Sequence, residues 1–511
     1  MQSTVFILGA IVIYLMVMVA IGAKFSKSSS DTSGSFYLGG RKLSPLVAAM
    51  SAEASDMSSW LLMGVPGLAY FTGIADASWT VIGLALGTYI NWLLVAKRLR
   101  RYSVIAGDSI TVPEFLSRRY HDNKNVLRMV AAIVIIIFFI PYTASGFAAI
   151  GKLFNSLFGW DYSASMLVGA AVVVLYTVLG GFMAVSTTDF IQSVVMTISL
   201  LTVLIFGIRT AGGWGAVCEN ANSIAGYISL TSMTDIMSRE VTPYGLLTIC
   251  STMAWGLGYF GMPHILLRFM AIENENKIAL SRRVASVWVA IAMVVAIVIG
   301  IVGSAMSANG SIVTLETASA AESIIVKIAD LLATHGAAAA LLAGIILAGI
   351  LASTMSTADS QLLAASSSVS EDLIKGFFGA KLTDKQTLIV ARVTVVCISL
   401  LGVVLARNPD SNVFRIVSFA WGGFGAAFGP TVLLALFWKR STRQGALAGM
   451  IAGGVMIFVW KFLLRPLGGA WNIYELLPAF LIALAANVVV SLATPAPDAS
   501  IAAEFEAAAK G

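Results

Sequence analysis

Long runs of apolar residues alternate with short polar connections along almost the whole 511-residue chain. A helix that crosses a bilayer needs about 20 predominantly apolar residues in a row, and thirteen segments reach that length. They predict an all-α polytopic membrane protein with about thirteen transmembrane helices. The predicted helices span residues 4–25, 44–71, 77–97, 126–154, 163–182, 189–209, 244–268, 284–306, 337–370, 387–406, 413–438, 444–463 and 473–494.

Two of these segments contain residues that disfavour a continuous membrane helix. The second carries Glu53 and Asp56 among several serines, and the seventh carries three glycines and a proline within residues 256–263. Backbone that leaves the helix at membrane depth is tolerated only where it lines a cavity or is buried in protein. The two breaks lie five segments apart, which predicts that segments 2–6 and 7–11 are two five-helix halves with interrupted first helices.

Composition and charge agree with a membrane protein and indicate its orientation. Hydrophobic residues make up 58% of the chain and charged residues only 11%, whereas soluble domains have about 25% charged residues. With the N-terminus outside, 24 of the 32 Lys and Arg residues fall on the cytoplasmic side, as the positive-inside rule expects. We therefore expect an outside N-terminus and a cytoplasmic C-terminus. The net charge of +6 reflects this bias and gives no support to nucleic-acid binding.

We make three further predictions about the polar connections and the C-terminal tail. The amphipathic stretch 112–116 is expected on the cytoplasmic membrane surface, and the Ala- and Glu-rich tail from Pro495 is assigned no structure. The connections predicted to be extracellular are acidic, and we expect them to cap an outward vestibule. Their acidic residues are Glu219, Asp235, Glu240, Glu316 and Glu322.

Asp56 is the first candidate functional residue. A carboxylate in the bilayer core costs a few kcal/mol, so it is expected to have a compensating role. Together with Ser58 it lies where a helix break would expose free carbonyls, which form a hard oxygen environment suited to a small cation. Alternatively, Asp56 caps the second half-helix by accepting hydrogen bonds from its first amides. The two roles are compatible.

A hydroxyl-rich cluster in the ninth segment is the expected partner of Asp56. Residues three and four apart on a helix share a face, so Ser353, Ser356, Thr357 and Ser360 form one stripe with Asp359 beside it. In the alternative interpretation these hydroxyls bond to carbonyls one turn earlier and only allow close helix packing.

Several stretches, taken in order, resemble the sodium/solute symporter family, and within it the bacterial sodium/proline symporters. They are YLGGR at 37–41, SDMSSWLLMG at 55–64, GGF at 180–182 leading to Asp189, AWGLGYFGMPH at 254–264 and MST at 355–357. The resemblance implies a LeuT-like five-plus-five inverted repeat with one leading and two trailing helices. The corresponding division is 1–43 (leading helix and cytoplasmic loop), 44–210 (first repeat), 211–243 (extracellular connection), 244–439 (second repeat), 440–494 (trailing helices) and 495–511 (cytoplasmic tail).

The resemblance also implies roles for individual residues. A main sodium site would use the carbonyls of Ala54, Met57 and Ser353 and the hydroxyls of Ser356 and Thr357, while Asp56 and Ser58 match positions important for sodium. A second sodium position would use Asp189, Ser356, Asp359 and Ser360, unless Asp189 simply caps its helix. The substrate-binding residues would be Tyr142, Trp255, Tyr259 and Pro263.

Three residues depart from the pattern of the family's proline carriers. Glu53 replaces a small residue, Ser59 replaces a glycine, and Met262 stands where glutamine is usual. Because Glu53 lies three residues before Asp56, two like charges could face one site, and we expect Glu53 to be protonated or paired. Glu53 and Met262 are therefore candidates for tuning proton sensitivity or substrate choice.

These observations predict a sodium-coupled importer of proline that works by alternating access, with Na⁺ as the coupling ion. The alternative is a sodium- or proton-coupled symporter of another small amino acid, a carboxylate or a betaine-like osmolyte. A non-transporting membrane sensor is a third reading, disfavoured because no soluble domain follows residue 495. No nucleophile–base pair or cofactor motif indicates an enzyme. The expected partners are proline, sodium and lipid, with no nucleic acid and no obligate protein partner.

Overall fold

The computed structural model describes residues 2–29 and 32–510 of the chain, and it is almost entirely helical. The α-helices are α1 (Gln2–Ser29), α2 (Ser33–Leu38), α3 (Pro45–Asp56), α4 (Val65–Thr72), α5 (Ile74–Ile90), α6 (Ala96–Ile105), α7 (Val112–Arg119), α8 (Val126–Phe158), α9 (Tyr162–Thr210), α10 (Trp214–Ser223), α11 (Leu246–Met253), α12 (Pro263–Ala271), α13 (Ile278–Ala308), α14 (Ala318–Ala321), α15 (Ile324–Ala333), α16 (Ala337–Ser367), α17 (Asp384–Leu405), α18 (Val413–Phe437), α19 (Arg443–Val459), α20 (Leu476–Ala493) and α21 (Ala499–Ala509).

Shorter elements connect or interrupt these helices. The 3₁₀ segments are Gly39–Arg41, Ala254–Gly261, Glu275–Lys277, Arg465–Leu467 and Gly469–Trp471, and the π-helical segments are Trp60–Gly64, Asn91–Val95, Ser368–Phe377 and Trp460–Leu464. Two strands, β1 (Ser232–Thr234) and β2 (Val241–Pro243), form an antiparallel hairpin. The apolar pattern does not show this hairpin because it lies in a polar connection.

The helices cover the predicted membrane segments. Within the described residues, ten helices are long and apolar enough to cross a membrane, and three shorter apolar helices are Trp60–Thr72, Tyr162–Leu175 and Leu246–Gly261. Helix α9 contains two predicted segments, and it turns between them at Gly181, whose φ of 64° is readily adopted by glycine. The fold is therefore that of an all-α polytopic membrane protein, while thirteen crossings stay a prediction.

Both predicted helix breaks are confirmed. Helix α3 ends at Asp56, and the chain leaves the helical conformation at Met57 (φ −74°, ψ 62°) before the π-helical segment and α4. Helix α11 passes into the 3₁₀ segment Ala254–Gly261, and Met262 is extended (φ −79°, ψ 107°). Pro263 then begins α12 at the first helical position, where its missing N–H costs no hydrogen bond.

The core is built around α16 and α18. Helix α16 packs against α9, α1, α8 and α3, and each of its residues from 346 to 367 is buried. Helix α18 packs against the segment Ala254–Gly261, α8 and α19. The central helices therefore present their hydroxyl-rich and aromatic faces to the two broken helices rather than to lipid.

Glycine permits a close approach between α5 and the 3₁₀ segment. A Cβ on Gly256 would collide with the carbonyl oxygen of Gly83, so Gly256→Val should destabilise the protein by about 3 kcal/mol, since backbone on both sides cannot yield. The control is Gly245→Val, because a Cβ there meets nothing within 4 Å. We expect a lower thermal midpoint and a lower monodisperse yield in detergent for Gly256→Val alone. Equal midpoints for the two variants would refute this packing.

Two expectations about the predicted cytoplasmic side are wrong. Residues 112–116 lie in α7, which is buried among α8, α12 and the Ser368–Phe377 segment instead of lying on the membrane surface. Polar contacts with distant segments explain this placement: Thr111, the N-cap of α7, donates to Asp372 at 2.7 Å, and Arg128 of α8 lies 3.8 Å from the nearly fully buried Glu114.

The Ala- and Glu-rich tail is also ordered. It contains α21, whose Ile501, Phe505 and Ala508 are buried at helical spacing. The guanidinium groups of Arg98 and Arg119 lie 4.7 and 5.3 Å from the Phe505 ring centroid. Composition alone misses this helix because a few well-spaced apolar residues suffice to dock it.

Candidate functional site

The break after α3 faces the hydroxyl stripe of α16. The Ser356 hydroxyl donates a hydrogen bond of 2.7 Å to the carbonyl of Ala54, across the interface between the two helices. The Ser356 and Thr357 hydroxyls each lie 3.2 Å from the carbonyl oxygen of Ser353. Ser356 therefore joins α16 to α3, while the bonds to the Ser353 carbonyl are the intrahelical bonds of the alternative interpretation. All four residues are buried. Uncharged carbonyl and hydroxyl oxygens in this arrangement suit a hard monovalent cation.

Asp56 lies at the same break and is fully buried. The Tyr259 hydroxyl donates to its Oδ2, while its Oδ1 makes no hydrogen bond with any described residue. Its backbone carbonyl accepts from Ser58 N at 2.7 Å and from the Trp60 indole at 3.0 Å. The carboxylate receives no backbone amide from the described residues, so the capping role has no support. The Ser58 hydroxyl instead lies 3.4 Å from Trp60 N.

Met57, whose carbonyl is the remaining expected ligand, lies at the break itself. Met57 is fully buried, and its amide still donates to the Glu53 carbonyl at 2.7 Å, which ends α3. Because Met57 then departs from helical geometry, its own carbonyl is turned away from the ladder of α3. Met57 thus lies beside the oxygens of Ala54 and Asp56 in the chain, as the sequence predicts.

A small cavity of about 10 Å³ adjoins this site. Ser58, Tyr142 and Thr357 line it, together with residues of α8 and α16 that include Gln361. This volume holds about one water molecule. The Tyr142 hydroxyl is buried at the cavity without a hydrogen-bond partner among the described residues. The cavity is therefore too small for a solute larger than water.

An aromatic cluster forms one wall near the cavity. The Trp255 ring stacks on Tyr474 at 5.2 Å and lies 5.3 Å from Phe414 and 6.2 Å from Trp60. The Trp421 indole donates to the Trp255 carbonyl at 2.8 Å. Sequence reasoning missed Phe414, Trp421 and Tyr474, although the glycine-rich sequence around Trp421 could have indicated close packing at this point.

Tyr259 links the aromatic cluster to the ion site. Its ring lies edge-on to Trp421 at 5.1 Å, while its hydroxyl reaches Asp56. Pro263 begins α12, and the carbonyl of the fully buried Met262 accepts from Ile265 N and Leu266 N at 3.1 and 3.0 Å. The broken seventh segment therefore contributes Trp255 and Tyr259 directly to the site, whereas Pro263 and Met262 shape the start of α12.

A second polar cluster holds Asp189. Asp189 Oδ2 accepts from Ser51 at 2.6 Å and forms an ion pair with Arg268 at 3.0 Å. Arg268 also donates to Ser360, whose own hydroxyl lies 3.2 Å from Asp359 Oδ1. Sequence reasoning missed Arg268 because the residue at the end of an apolar segment reads as a cytoplasmic charge. The sequence did offer one indication: Arg268 is the only charged residue in the otherwise apolar stretch from His264 to Phe269, which favours a buried, paired arginine.

Glu53 contacts the π-helical segment after α5 rather than a basic residue. It is about 1% exposed, and the Trp92 indole donates to its Oε1 at 3.0 Å, while Oε2 has no partner among the described residues. No basic side chain of the described residues forms an ion pair with it. Glu53 is therefore paired with an uncharged donor, the Trp92 indole, rather than with a basic side chain.

The acidic residues of the connections predicted to be extracellular separate into exposed and buried groups. Glu219, Glu240 and Glu316 are exposed, and Asp235 is half-buried. Glu322 is buried, where it pairs with Lys152 at 2.8 Å and accepts the amides of Val413 and Phe414 at the start of α18. Glu322 therefore closes this end of the bundle by capping a helix N-terminus.

Comparisons with known proteins agree with this geometry. The sequence profile of the sodium:solute symporter family matches residues 36–453. Sodium/proline symporters of several Staphylococcus aureus strains are 38% identical over 497 residues, which is 96% of this chain and 93% of those proteins.

Two solved structures share the fold. A substrate-bound, outward-open Na⁺-coupled sialic acid symporter superposes with a TM-score of 0.78 at 17% identity, covering 96% of this chain and 99% of that one. A nucleobase-cation-symport-1 family transporter in a closed conformation superposes with a TM-score of 0.50 at 14% identity, covering 93% and 98%. At these identities the likeness concerns the fold alone.

Proposed function

The chain belongs to the sodium:solute symporter family, and from that premise we propose that it is a sodium-coupled importer of proline. One observation carries the proposal: the oxygens of Ala54, Ser353, Ser356 and Thr357 meet at a helix break beside the buried carboxylate of Asp56. A buried carboxylate with an unpartnered oxygen calls for a compensating cation. The sodium/proline symporters among its relatives support proline as the substrate.

In this proposal sodium binds between α3 and α16. Its ligands are the carbonyls of Ala54, Met57 and Ser353 and the hydroxyls of Ser356 and Thr357. Asp56 and Ser58 lie beside the ion and contribute negative charge and polarity. Sodium then links α3 to α16, and this linkage favours the conformation that admits substrate from outside. The coupling requires that sodium bind one conformation more tightly, because an ion bound equally to both would shift nothing.

Proline is proposed to bind between the ion site and the aromatic cluster. Its apolar ring suits the flat faces of Trp255 and Tyr259, and its charged groups suit Tyr142 and the free backbone at the helix break. Alternating access then exchanges the side to which the site opens. The five-helix repeats, 44–210 and 244–439, are the proposed moving units, with 1–43 and 440–494 flanking them.

We also propose the orientation that the basic residues indicate. The N-terminus lies outside, and the C-terminal residues 495–511, with α21, lie on the cytoplasmic face of a bacterial inner membrane. Uptake in this orientation follows the inward sodium gradient.

The test is uptake of radiolabelled proline into proteoliposomes of the purified protein, with sodium, lithium or proton gradients imposed separately. We expect accumulation that depends on an inward sodium gradient. Uptake of another small amino acid, a carboxylate or a betaine in preference to proline would replace the substrate assignment. Binding of proline without any gradient-driven accumulation would indicate a sensor and overturn the proposal.

Glu53 is proposed to tune the competition between protons and sodium. Two buried carboxyl groups one helical turn apart are not both expected to be charged, and protons compete with sodium for their negative charge. The sodium concentration for half-maximal uptake should therefore rise as the pH falls. Glu53→Gln keeps a hydrogen-bond acceptor for Trp92 and removes one proton site, so this dependence should become shallower. An unchanged pH profile and substrate range in Glu53→Gln would refute the role.

A further inference from the structure

An apolar groove of about 480 Å³ lies between α9 and α13, two of the helices that are long and apolar enough to cross a membrane. We call it the α9–α13 groove. Its volume is in the range of ligand sites in proteins, about 300–1,000 Å³. The buried Met50 of α3 lies at its back, and Leu201, Val287 and Ile291 line its sides. These three side chains are exposed, so the groove opens on the outer surface of the bundle.

The packing of α9 against α13 explains why a groove forms here. At one level the two helices approach so closely that a Cβ on Gly207 would lie 2.8 Å from the Val302 side chain. At the level of the groove the Trp288 indole instead donates to the Thr197 hydroxyl at 2.9 Å. A long side chain, rather than direct backbone approach, therefore joins the helices at this level, and space is left beside it.

A single charged residue of the described chain, Arg283, lines the groove, and no acidic residue there neutralises it. Arg283 is exposed in the first two turns of α13 and forms no ion pair with the described residues. By contrast, Arg101 pairs with Glu275, and the guanidinium of Arg282 lies 5.5 Å from the ring centroid of Tyr89 on α5. The planar guanidinium of arginine matches the geometry of phosphate oxygens. The end of the groove at Arg283 therefore suits a phosphate group.

The length of the groove matches one leaflet of a bilayer. Along α13 it runs from Arg283 to Val295, which corresponds to about 18 Å at a rise of about 1.5 Å per residue. Half of a hydrocarbon core about 30 Å thick is about 15 Å. A phosphate at Arg283 would therefore lie at the depth of the headgroups, while an acyl chain from the same molecule would follow the apolar lining.

We propose that the α9–α13 groove binds one anionic phospholipid, with an acyl chain along the apolar lining and the phosphate at Arg283. The uncompensated charge of Arg283 favours a headgroup of net negative charge over a zwitterionic one. A free phosphate ion would contact Arg283 alone and leave the apolar lining unfilled. This binding site goes beyond the proposed transport activity. Only the assignment of the lipid to the cytoplasmic leaflet depends on the proposed orientation.

The lipid would contact the helix that carries the candidate ion site. Met50 lies one helical turn before Ala54 on α3, and it is the residue of α3 that lines the groove. A bound acyl chain therefore packs against the back of this helix. Because such a ligand binds only the folded protein, it should also raise the thermal midpoint of the protein in detergent.

Native mass spectrometry of the delipidated full chain in detergent tests the site, with dioleoyl phosphatidylglycerol or dioleoyl phosphatidylcholine as the probe. The two lipids have the same acyl chains and differ in net charge. We expect one phosphatidylglycerol molecule to bind with about fivefold higher affinity than phosphatidylcholine, as expected for one arginine near an anionic headgroup. Equal affinities for the two lipids would overturn the inference.

The charge is tested by Arg283→Gln, which should bind the two lipids with equal affinity. The control is Arg282→Gln, which removes the same charge one residue away, on the side of α13 that faces α5. It should keep the fivefold preference, because a general attraction of anionic lipid to this surface would be reduced equally by both changes. Loss of the preference in both variants, or in neither, would contradict the assignment of the phosphate to Arg283.

The position of the acyl chain is tested by Ile291→Trp, which places a larger side chain in the groove. Its control is Ile389→Trp on α17, since Ile291 and Ile389 are 56% and 52% exposed. We expect only Ile291→Trp to weaken the binding of both lipids, by at least about fivefold. Equal binding in the two variants would show that the lipid binds elsewhere. Dimers of the wild-type chain that bind no lipid would show that a second copy covers the groove, and would overturn the inference.

Discussion

Replacing Asp56 by asparagine is expected to raise the sodium concentration for half-maximal proline uptake by at least about tenfold. The variant keeps the size of the side chain and removes the buried negative charge of Asp56, two residues from Ala54 at the break of α3. Hydrogen bonds and contacts to a charged group contribute about 1.5–3 kcal/mol, and each 1.4 kcal/mol corresponds to about tenfold in affinity. Initial rates of radiolabelled proline uptake over a sodium titration measure the effect.

The control for this variant is Asp410→Asn, which makes the same chemical change at an exposed position. Its sodium dependence should match that of the wild type. Both proteins should reach the membrane in equal amounts, because Asp56 contributes no hydrogen bond that anchors α3 to a backbone amide of the described residues. Unchanged sodium dependence in Asp56→Asn would refute the assignment of Asp56 to the ion site.

The double variant Ser356→Ala/Thr357→Ala should weaken sodium binding by about a hundredfold. Each substitution removes one hydroxyl ligand and leaves the carbonyls of Ala54 and Ser353 without the donors they now have. The loss of a buried hydrogen-bonding group costs about 1–3 kcal/mol, which corresponds to roughly tenfold per hydroxyl. The same sodium titration of uptake measures the effect.

A matched control lies on the same helix. Ser366→Ala removes a buried hydroxyl that donates to the Leu363 carbonyl one turn earlier and has no contact with Ala54 or Ser353, so it should leave the sodium dependence unchanged. If the double variant and Ser366→Ala show equal sodium dependence, the hydroxyls of Ser356 and Thr357 serve only in helix packing.

The fold could be predicted from the sequence to a large extent, because its governing signals are local. The apolar segments follow from hydropathy, and the breaks follow from a carboxylate at Asp56 and from Pro263, neither of which a continuous membrane helix accommodates easily. The burial of α7 and the docking of α21 could not be predicted in this way. Both depend on surfaces supplied by distant segments, such as the guanidinium groups that meet Phe505.

In the candidate site, too, features within one helix could be predicted from the sequence, whereas contacts between distant helices could not. The spacing of Ser353, Ser356 and Thr357 predicts that they share one face, and Ser356 of that face contacts the Ala54 carbonyl; the role of the face in binding sodium stays a prediction. The partners of Asp189 and Glu53 are different, because they come from other helices. Arg268 reaches Asp189 from α12, and Trp92 reaches Glu53 across the interface with α5 and its π-helical extension. Pairings of this kind depend on helix packing, which the residue pattern of one segment does not contain.

Binding of radiolabelled proline to the detergent-solubilised protein, measured over a sodium titration, tests the coupling of ion and substrate most directly. We expect sodium to increase the affinity for proline by at least about tenfold, and proline to increase the affinity for sodium by the same factor, as linkage requires. The Asp56→Asn variant should lose most of this increase. Proline binding of equal affinity with and without sodium would contradict the proposal that the site between α3 and α16 couples the two.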